Sequence, residues 1–283
     1  MKHFYLIVNK EKENAEKGAE VISEYLNSHG CECLRWDSEN PGSSEYRYTD
    51  RKQVPQETEC VIVLGGDGTL IQAARDLAGR DLPLFGVNMG HLGYLTQISR
   101  EEDIVPALKE LMADHYRLEK RMMLEGRVVS EGATVAQDIA LNDIILSRTG
   151  LYTLKFDLYV NGELFNQYSA DGMIVATPTG STAYNLSAGG PIAAPESSMI
   201  IMTPICPHTL NSRSIVISPE SRIMMKVSGR EEVEQFLSFD GDTVVELRKG
   251  DRIEVERSEI TTTLIQLKQV SFLENIRCKM RQI

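Results

Sequence analysis

The residues with the clearest chemistry form a glycine-rich stretch, Gly65-Gly66-Asp67-Gly68-Thr69, directly after the apolar run at 61–64. Glycines let a ligand approach the backbone closely, and the N-terminus of the helix predicted to follow would offer N–H groups and positive potential to a phosphate. Asp67 would stand beside that phosphate, where it could accept a proton from an attacking hydroxyl or orient a hydroxyl and a metal ion. A tight turn with Asp67 as the helix N-cap would explain the same residues.

Two further segments place polar groups at the ends of predicted strands. The stretch NMGHLGYL at 88–95 follows the strand predicted at 82–87, and its two glycines suit a ligand-facing loop as well as they suit an ordinary turn. Asn142 and Asp143 interrupt an apolar run at 139–146. A buried, unpaired carboxylate is costly, so we expect Asp143 to have a partner and the chain to bend at a site here.

The longest polar segment is DGMIVATPTGSTAYNLSAGGP at 171–191. It predicts a strand that runs into a Pro-Thr-Gly-Ser-Thr turn, with a short helix starting near Thr182. Hydroxyl and N–H groups are dense in this turn, and the ring of Tyr184 could stack on a base. A generic Ser/Thr-rich turn is the alternative, but the density of hydrogen-bonding groups favours a polar ligand.

Charge and composition exclude several classes of function. The 283 residues carry a formal net charge of −11, which disfavours nucleic acid and anionic membranes as partners. Nothing approaches 18 consecutive apolar residues, so we expect no membrane span. The five cysteines form no C-x-x-C pair and the five histidines show no metal-ligand spacing, so we expect reduced thiols in the cytoplasm and no metal site made by the protein alone.

The elements that must position these segments change character near residue 117. Before it, strands alternate with helices, which predicts a parallel sheet; the strands are expected at 4–8, 31–36, 61–64 and 82–87, and the helices at 15–28 and 70–78. A surface loop is expected at 37–59. After residue 117, short strands and turns such as Asn161-Gly162, typical of a type I′ hairpin, predict antiparallel pairing.

The predicted fold is therefore an α/β N-terminal domain with a parallel sheet and a β-rich, mostly antiparallel C-terminal domain. The C-terminal segment, helical at 271–280, is expected to return to the first domain. The predicted domain limits are 1–117, 118–262 and 263–283.

Taken together, the motifs resemble those of the NAD kinase family. GGDGT, NMGHLGYL, LNDI, ADGMIVATPTGSTAYNLSAGGPI, the stretch at 203–214 and Phe239-Asp240-Gly241 occur in the family's order and approximate spacing between about residues 60 and 275. GGDGT alone is shared with lipid kinases and phosphofructokinases, whereas its combination with GSTAY-x-x-S-x-GGP is far more specific. This chain has Asn142-Asp143 where many relatives have Asn-Glu, and the shorter side chain reaches about one methylene less.

The resemblance implies that ATP phosphorylates the adenosine 2′-hydroxyl of NAD to give NADP, with a divalent cation, Mg²⁺, held mainly through the ATP phosphates. Asp67 would accept the proton and, with Gly68, would touch NAD. The adenosine end would contact Asn142 and Asp143, and the nicotinamide end Asp171. The adenine and ribose would be framed by Thr182, Ala183, Tyr184, Asn185, Leu186 and Ser187. The donor phosphates would face Gly65, Gly66, Gly68 and Thr69, and the family suggests a homodimer or homotetramer.

Two other functions share part of this pattern. A diacylglycerol-type lipid kinase would carry GGDGT, but a net charge of −11 discourages membrane attraction. A non-catalytic NAD-binding module would not need Asp67, so the presence of this residue argues for catalysis. Arg148 could contact a phosphate or ligand, or could be an exposed arginine on a solvated turn.

Overall fold

The chain forms two compact units in a computed structural model that describes residues 1–12, 14–38, 49–90, 93–209, 212–228, 233–267 and 272–280. The first unit comprises residues 1–121 and 261–283, and the second comprises residues 122–260. The C-terminal segment thus groups with the first unit. The division into domains at 1–117 and 118–262, with a C-terminal segment at 263–283, stays a prediction.

The first unit is built on a parallel sheet. Its elements up to residue 112 are β1 (His3–Asn9), α1 (Ala15–Ser28), β2 (Glu32–Ser38), β3 (Cys60–Leu64), α2 (Asp67–Asp76), β4 (Pro83–Val87), a short 3₁₀ turn (Glu101–Asp103) and α3 (Ile104–Met112). The strands pair in the order β2-β1-β3-β4, each pair parallel. Every residue of β3 is buried, as expected for a strand covered on both faces. The predicted α/β domain with a parallel sheet is confirmed.

Two expectations in this unit need correction. Helix α2 begins at Asp67, three residues before the predicted start. The predicted surface loop at 37–59 is partly anchored: Thr49 and Val54 are buried, and the Thr49 N–H donates to the Asp76 carboxylate at 3.2 Å. Its segment 39–48 lies outside the described residues.

The second unit is made of antiparallel strands, which confirms the predicted β-rich domain. Its elements are β5 (Arg117–Ser130, which starts in the first unit), β6 (Ala133–Ala140), β7 (Asp143–Arg148), β8 (Leu154–Val160), β9 (Glu163–Ala170), β10 (Gly172–Ala176), a 3₁₀ turn (Thr179–Thr182), α4 (Tyr184–Ser187), β11 (Ile200–Ile205), β12 (Ile215–Ile217), β13 (Ile223–Val227), β14 (Gln235–Phe239), β15 (Thr243–Leu247) and β16 (Arg252–Gln266, which ends in the first unit).

The strands of the second unit fall into two groups around one core. Six strands pair in the order β12-β11-β10-β7-β14-β15, and β16, β13, β8 and β9 pair in that order in the other sheet. Asn161 and Gly162 have φ of 52° and 85°, the left-handed conformation that the predicted hairpin turn requires. Apolar side chains of both groups, including Ile144, Val175, Phe156 and Met225, share one buried cluster.

The last part of β16 returns to the first unit, where Thr263 and Leu264 pair in parallel with β4. A final helix, α5 (Phe272–Met280), follows, and Ser271, the first residue of the predicted helix, lies outside the described residues. None of the helices in the described part of the chain has the length and apolar character needed to cross a membrane.

Candidate functional site

The glycine-rich turn joins the buried strand β3 to helix α2. The Gly65 N–H donates to the Val87 carbonyl at 2.9 Å, which holds the turn against β4. Gly66 is the N-cap of α2, with φ −84° and ψ −176°, and no side chain caps the helix. Asp67 is therefore the first helical residue, and its carboxylate is available for a role other than capping.

The Asp67 carboxylate is held by the loop that follows β4. Its Oδ1 accepts hydrogen bonds from the N–H groups of Leu95 and Thr96 at 3.1 and 3.2 Å and from the Thr96 hydroxyl at 3.3 Å. Among the described residues, its Oδ2 accepts one hydrogen bond, from the Tyr94 N–H at 2.6 Å. Because a carboxylate oxygen has two lone pairs, Oδ1 is fully engaged, and Oδ2 is the oxygen with room for a proton.

Gly93 lets this loop approach Asp67. A Cβ at this position would lie 1.8 Å from Asp67 Oδ1 and 2.4 Å from Thr96 Oγ1, so any larger residue would displace the carboxylate. Gly90, at the start of the same loop, has open space at its Cβ position. His91 and Leu92 lie outside the described residues. The structure thus brings the end of the predicted segment 88–95, from Gly93 to Leu95, to Asp67.

The donor-phosphate candidates divide into two pairs. Thr69 is 2% exposed and its hydroxyl accepts a hydrogen bond from Asn9 Nδ2 at 3.0 Å, while a Cβ on Gly65 would lie 2.4 Å from that hydroxyl. Thr69 and Gly65 therefore pack under the turn and hold its shape. A Cβ on Gly68 would meet no atom within 4 Å, and the nearest atom to one on Gly66 would be Lys12 Cε at 3.9 Å. Gly66 and Gly68 leave room for a ligand.

In the second unit, Asn142 lies in a bend directly before β7, and Asp143 is the first residue of that strand. The Asp240 carboxylate accepts hydrogen bonds from the N–H groups of three consecutive residues, Leu141, Asn142 and Asp143, at 2.8, 2.7 and 3.1 Å. The Asp240 N–H in turn donates to the Asp143 carbonyl at 3.0 Å. The predicted bend is present, and Asp240 holds it.

Asp143 is 4% exposed, and among the described residues its carboxyl group has no hydrogen-bond partner. Burial, and secondly the charge of Asp240, raises the pKa of Asp143 from 3.8 to about 7. The expectation of a compensating partner for this side chain is therefore wrong: the nearby ionisable group is another carboxyl. The Asp143 carboxyl group therefore avoids a buried negative charge by staying protonated, and not by pairing with a cation.

The Pro-Thr-Gly-Ser-Thr turn packs on the same bend. Thr177 donates its hydroxyl to the Leu141 carbonyl at 2.6 Å and its N–H to the Asn142 carbonyl at 2.8 Å. A Cβ on Gly180 would lie 2.1 Å from the backbone carbonyl oxygen of Asn142, so only glycine allows this close packing. The structure thus brings together two segments that lie more than thirty residues apart in the chain.

The candidates at 182–187 face in different directions. Tyr184 is 47% exposed and Ser187 is also exposed, whereas Thr182, Ala183 and Leu186 are half-buried. The Asn185 side chain is fully buried. Its amide donates to the carbonyls of Ser181 and Pro191 at 3.1 and 3.0 Å and accepts from the Thr203 hydroxyl at 2.7 Å. Asn185 therefore holds the helix in place, and Tyr184 and Ser187 present their side chains outward.

Asp171 forms an ion pair with Arg148. Nε and Nη2 of Arg148 lie 3.0 and 2.5 Å from the same Asp171 oxygen, and its Nη1 donates to the Gly150 carbonyl. The arginine side chain is 17% exposed. Arg148 is therefore neither an exposed turn residue nor an unengaged cation; it orients Asp171.

Comparison with known proteins agrees with these motifs. The description "ATP-NAD kinase N-terminal domain" matches residues 4–116, and "ATP-NAD kinase C-terminal domain" matches residues 123–267. An NAD kinase of Lachnospira eligens is 44% identical over 99% of this chain and 100% of its own length. This chain belongs to the ATP-NAD kinase family.

Further relatives and solved structures are similar to this chain. An NAD kinase of Agathobacter rectalis is 43% identical over 99% of each chain. The crystal structure of an NAD kinase from Archaeoglobus fulgidus in complex with ATP has a TM-score of 0.75 and 25% identity over the full length of both chains. Yeast NADH kinase complexed with NADH has the same fold, with a TM-score of 0.85 and 23% identity over 98% of this chain and 86% of its own.

Three residues of this family member have supporting contacts that the sequence does not predict. Asn9 supports Thr69, Asp240 holds the bend at 141–143, and Arg148 orients Asp171. For Asn9 a signal exists, because it is a polar residue at the end of an otherwise apolar strand. Asp240 stands in the motif Phe239-Asp240-Gly241, but its partners lie almost a hundred residues away.

Proposed function

We propose that this protein transfers the γ-phosphoryl group of ATP to the adenosine 2′-hydroxyl of NAD, giving NADP and ADP. The observation that carries the proposal is the Asp67 carboxylate, fixed by three backbone N–H groups beside the glycine turn, with Oδ2 left to accept a proton. Membership of the ATP-NAD kinase family supports the choice of substrates.

The proposed step is an in-line displacement. The 2′-oxygen of NAD attacks the γ-phosphorus, its proton passes to Asp67 Oδ2, and the bond from the γ-phosphorus to the bridging oxygen of ADP breaks. Catalysis of this reaction rests mainly on positioning and charge stabilisation. The Asp67 carboxylate, held by several N–H groups, would contribute positioning. Gly66 and Gly68 have the open space that the donor phosphates require, and Gly65 and Thr69 keep the turn in shape.

The second unit supplies the proposed contacts to NAD. Asn142 and Asp143 would contact the adenosine end and Asp171, oriented by Arg148, the nicotinamide end. Tyr184 would stack on the adenine, since its ring is exposed and aromatic faces favour such contacts. The adenine and ribose would also contact the neighbours of Tyr184 in the chain, namely Thr182, Ala183, Leu186 and Ser187. Asn185 would support this segment through its buried hydrogen bonds.

A divalent cation, Mg²⁺, would be held mainly by the phosphates of ATP. Among the described residues no group of three or more His, Cys, Asp or Glu side chains is placed to hold a metal ion. When bound, the cation would neutralise part of the charge on the transferring phosphoryl group. We further infer a homodimer or homotetramer in the cytoplasm, supported by the family resemblance, with no nucleic-acid or membrane partner, supported by the net charge of −11.

The proposal is tested by offering purified protein ATP and Mg²⁺ with either NAD or diacylglycerol in mixed micelles. We expect NADP, measured with an NADP-specific dehydrogenase, and no phosphorylated lipid. Phosphorylated diacylglycerol would show the lipid kinase instead. NAD binding by calorimetry without any NADP would show the non-catalytic module.

A further inference from the structure

The turn between β14 and β15 contains Asp240, to which the proposed reaction gives no role. We propose that Asp240 is a positioning residue for NAD: its carboxylate fixes the bend at 141–143 that presents Asn142 and Asp143 to the substrate. This inference rests on the proposed function, because it takes these two residues as contacts of NAD.

The hydrogen bonds of Asp240 are unusual for a turn residue. In an extended strand, successive N–H groups point to opposite sides. Three consecutive N–H groups, those of Leu141, Asn142 and Asp143, nevertheless converge on the two oxygens of one carboxylate, at 2.8, 2.7 and 3.1 Å. This convergence requires the backbone to curl, and an anion at its centre stabilises the curl because it neutralises three N–H dipoles that would otherwise repel each other.

The bend at 141–143 also contacts the polar turn after β10, which leads to the second proposed NAD-binding segment at 182–187. The carbonyls of Leu141 and Asn142 accept hydrogen bonds from Thr177, and Gly180 packs on the Asn142 oxygen. Residues 142–143 and the turn that leads to Tyr184 are therefore fixed relative to one another through this single bend. Loss of the Asp240 carboxylate should disturb both sets of contacts to NAD.

The turn itself does not require a carboxylate. Asp240 has φ 52°, a conformation that aspartate and asparagine both tolerate. Asp240→Asn therefore keeps the turn but places an amide NH₂ group against at least one backbone N–H donor. This variant separates the shape of the turn from the charge that holds the bend.

The experiment compares steady-state kinetics of wild type and Asp240→Asn with ATP, Mg²⁺ and NAD. We expect KM for NAD to rise about tenfold or more, the size expected when hydrogen bonds to a charged group are lost. We expect kcat and KM for ATP to stay close to wild type, because the donor-phosphate candidates belong to the other unit. A raised KM with unchanged kcat is the signature of lost substrate binding.

Asp251→Asn is the matched control. Asp251 is a buried aspartate in another turn of the same unit, between β15 and β16, where its carboxylate accepts the Arg248 N–H at 2.8 Å. This substitution should lower the melting temperature without changing KM for NAD. If Asp240→Asn does not fold, Asp240→Glu replaces it: it keeps the charge but displaces the carboxylate by one methylene, and KM for NAD should again rise.

The outcomes separate this inference from the proposed function. A wild-type protein that makes no NADP would overturn the proposed function. An active wild type with unchanged KM for NAD in the folded Asp240 variant would overturn only the role of Asp240. Equal rises of KM for NAD in Asp240→Asn and Asp251→Asn would also overturn it, since they would show a general effect of destabilising the unit.

Discussion

At the scale of single residues, Asp143 is an ionisable group whose charge is opposed by its surroundings. Burial and the neighbouring Asp240 raise its pKa to about 7, so the native protein keeps it protonated in a range where the unfolded chain, with the ordinary pKa of 3.8, has already lost the proton. Between these two values the native state binds more protons than the unfolded state. The free energy of unfolding therefore falls as pH rises through this window.

Asp143→Asn should remove this dependence. One such group can change the free energy of unfolding by at most about 1.4 kcal/mol per pH unit. We expect the variant to gain stability relative to wild type as pH rises from the ordinary pKa of an aspartate towards 7.5. Urea unfolding of both proteins at pH 4.5 and 7.5 measures the difference, and the other titrating groups cancel in it. An equal stability difference at both pH values would contradict the placement of Asp143 as a buried, uncompensated acid.

Tyr184 and Asn185 are neighbours in sequence with opposite exposure, and they should respond oppositely to truncation. Tyr184→Ala should weaken NAD binding by about 1–3 kcal/mol, the usual value of an aromatic ring stacked on a base, with little change in melting temperature. Asn185→Ala should lower the free energy of unfolding by about 1–3 kcal/mol, because it removes the amide that donates to the carbonyls of Ser181 and Pro191 inside the protein. Calorimetry with NAD and thermal melts of both variants test the pair. Full NAD affinity in Tyr184→Ala would remove the ring from the proposed adenine contact.

At the scale of elements, the loop after β4 matters because it holds the catalytic candidate Asp67. Gly93→Ala would place a Cβ 1.8 Å from Asp67 Oδ1, so the carboxylate must move. A displacement of about 1 Å in a catalytic group can cost about 100-fold in rate, and we expect kcat/KM to fall by that order. Gly90→Ala, in open space on the same loop, is the control and should keep wild-type activity. Similar activity in both variants would contradict the role of the loop.

The sequence predicts those elements whose determinants are local. The apolar run at 61–64 followed by glycines predicts a buried strand and a phosphate turn, and Asn161-Gly162 predicts its hairpin, because each pattern depends on neighbouring residues only. Helix α3 and strand β14 are not predicted. Strand β14 has only five residues, and their burial does not follow their polarity: Gln235 is buried whereas Phe236 is half-buried.

The candidate site shows the same division. GGDGT, the loop at 88–95 and the polar turn after β10 are visible as composition and spacing. The contacts between them are not visible: Asp67 meets residues 94–96, and Asp240 meets 141–143. Sequence spacing carries no information on which distant N–H groups will converge on a carboxylate. The buried orientation of the Asn185 side chain likewise depends on Thr203, which lies on strand β11.

At the scale of the whole molecule, the net charge of −11 bears on how the protein could stabilise a transferring phosphoryl group. The described residues hold no cluster of acidic or histidine side chains that would retain a metal ion by themselves. In the proposed reaction, a divalent cation bound to the ATP phosphates would neutralise part of their charge. Activity should be abolished by excess EDTA and restored by Mg²⁺, with an unchanged melting temperature. Full turnover in excess EDTA would contradict this.

The central claim is that Asp67 accepts the proton of the NAD 2′-hydroxyl, and Asp67→Asn tests it most directly. An asparagine can keep one oxygen for the N–H groups of the loop, but its NH₂ group cannot take a proton in place of Oδ2. Turnover of ATP, Mg²⁺ and NAD to NADP should fall by about 10²–10⁴ in kcat, the usual contribution of a general base, in a variant that still folds. Asp103→Asn, which changes a surface partner of Arg100, should be fully active. Near wild-type turnover in folded Asp67→Asn would contradict the account.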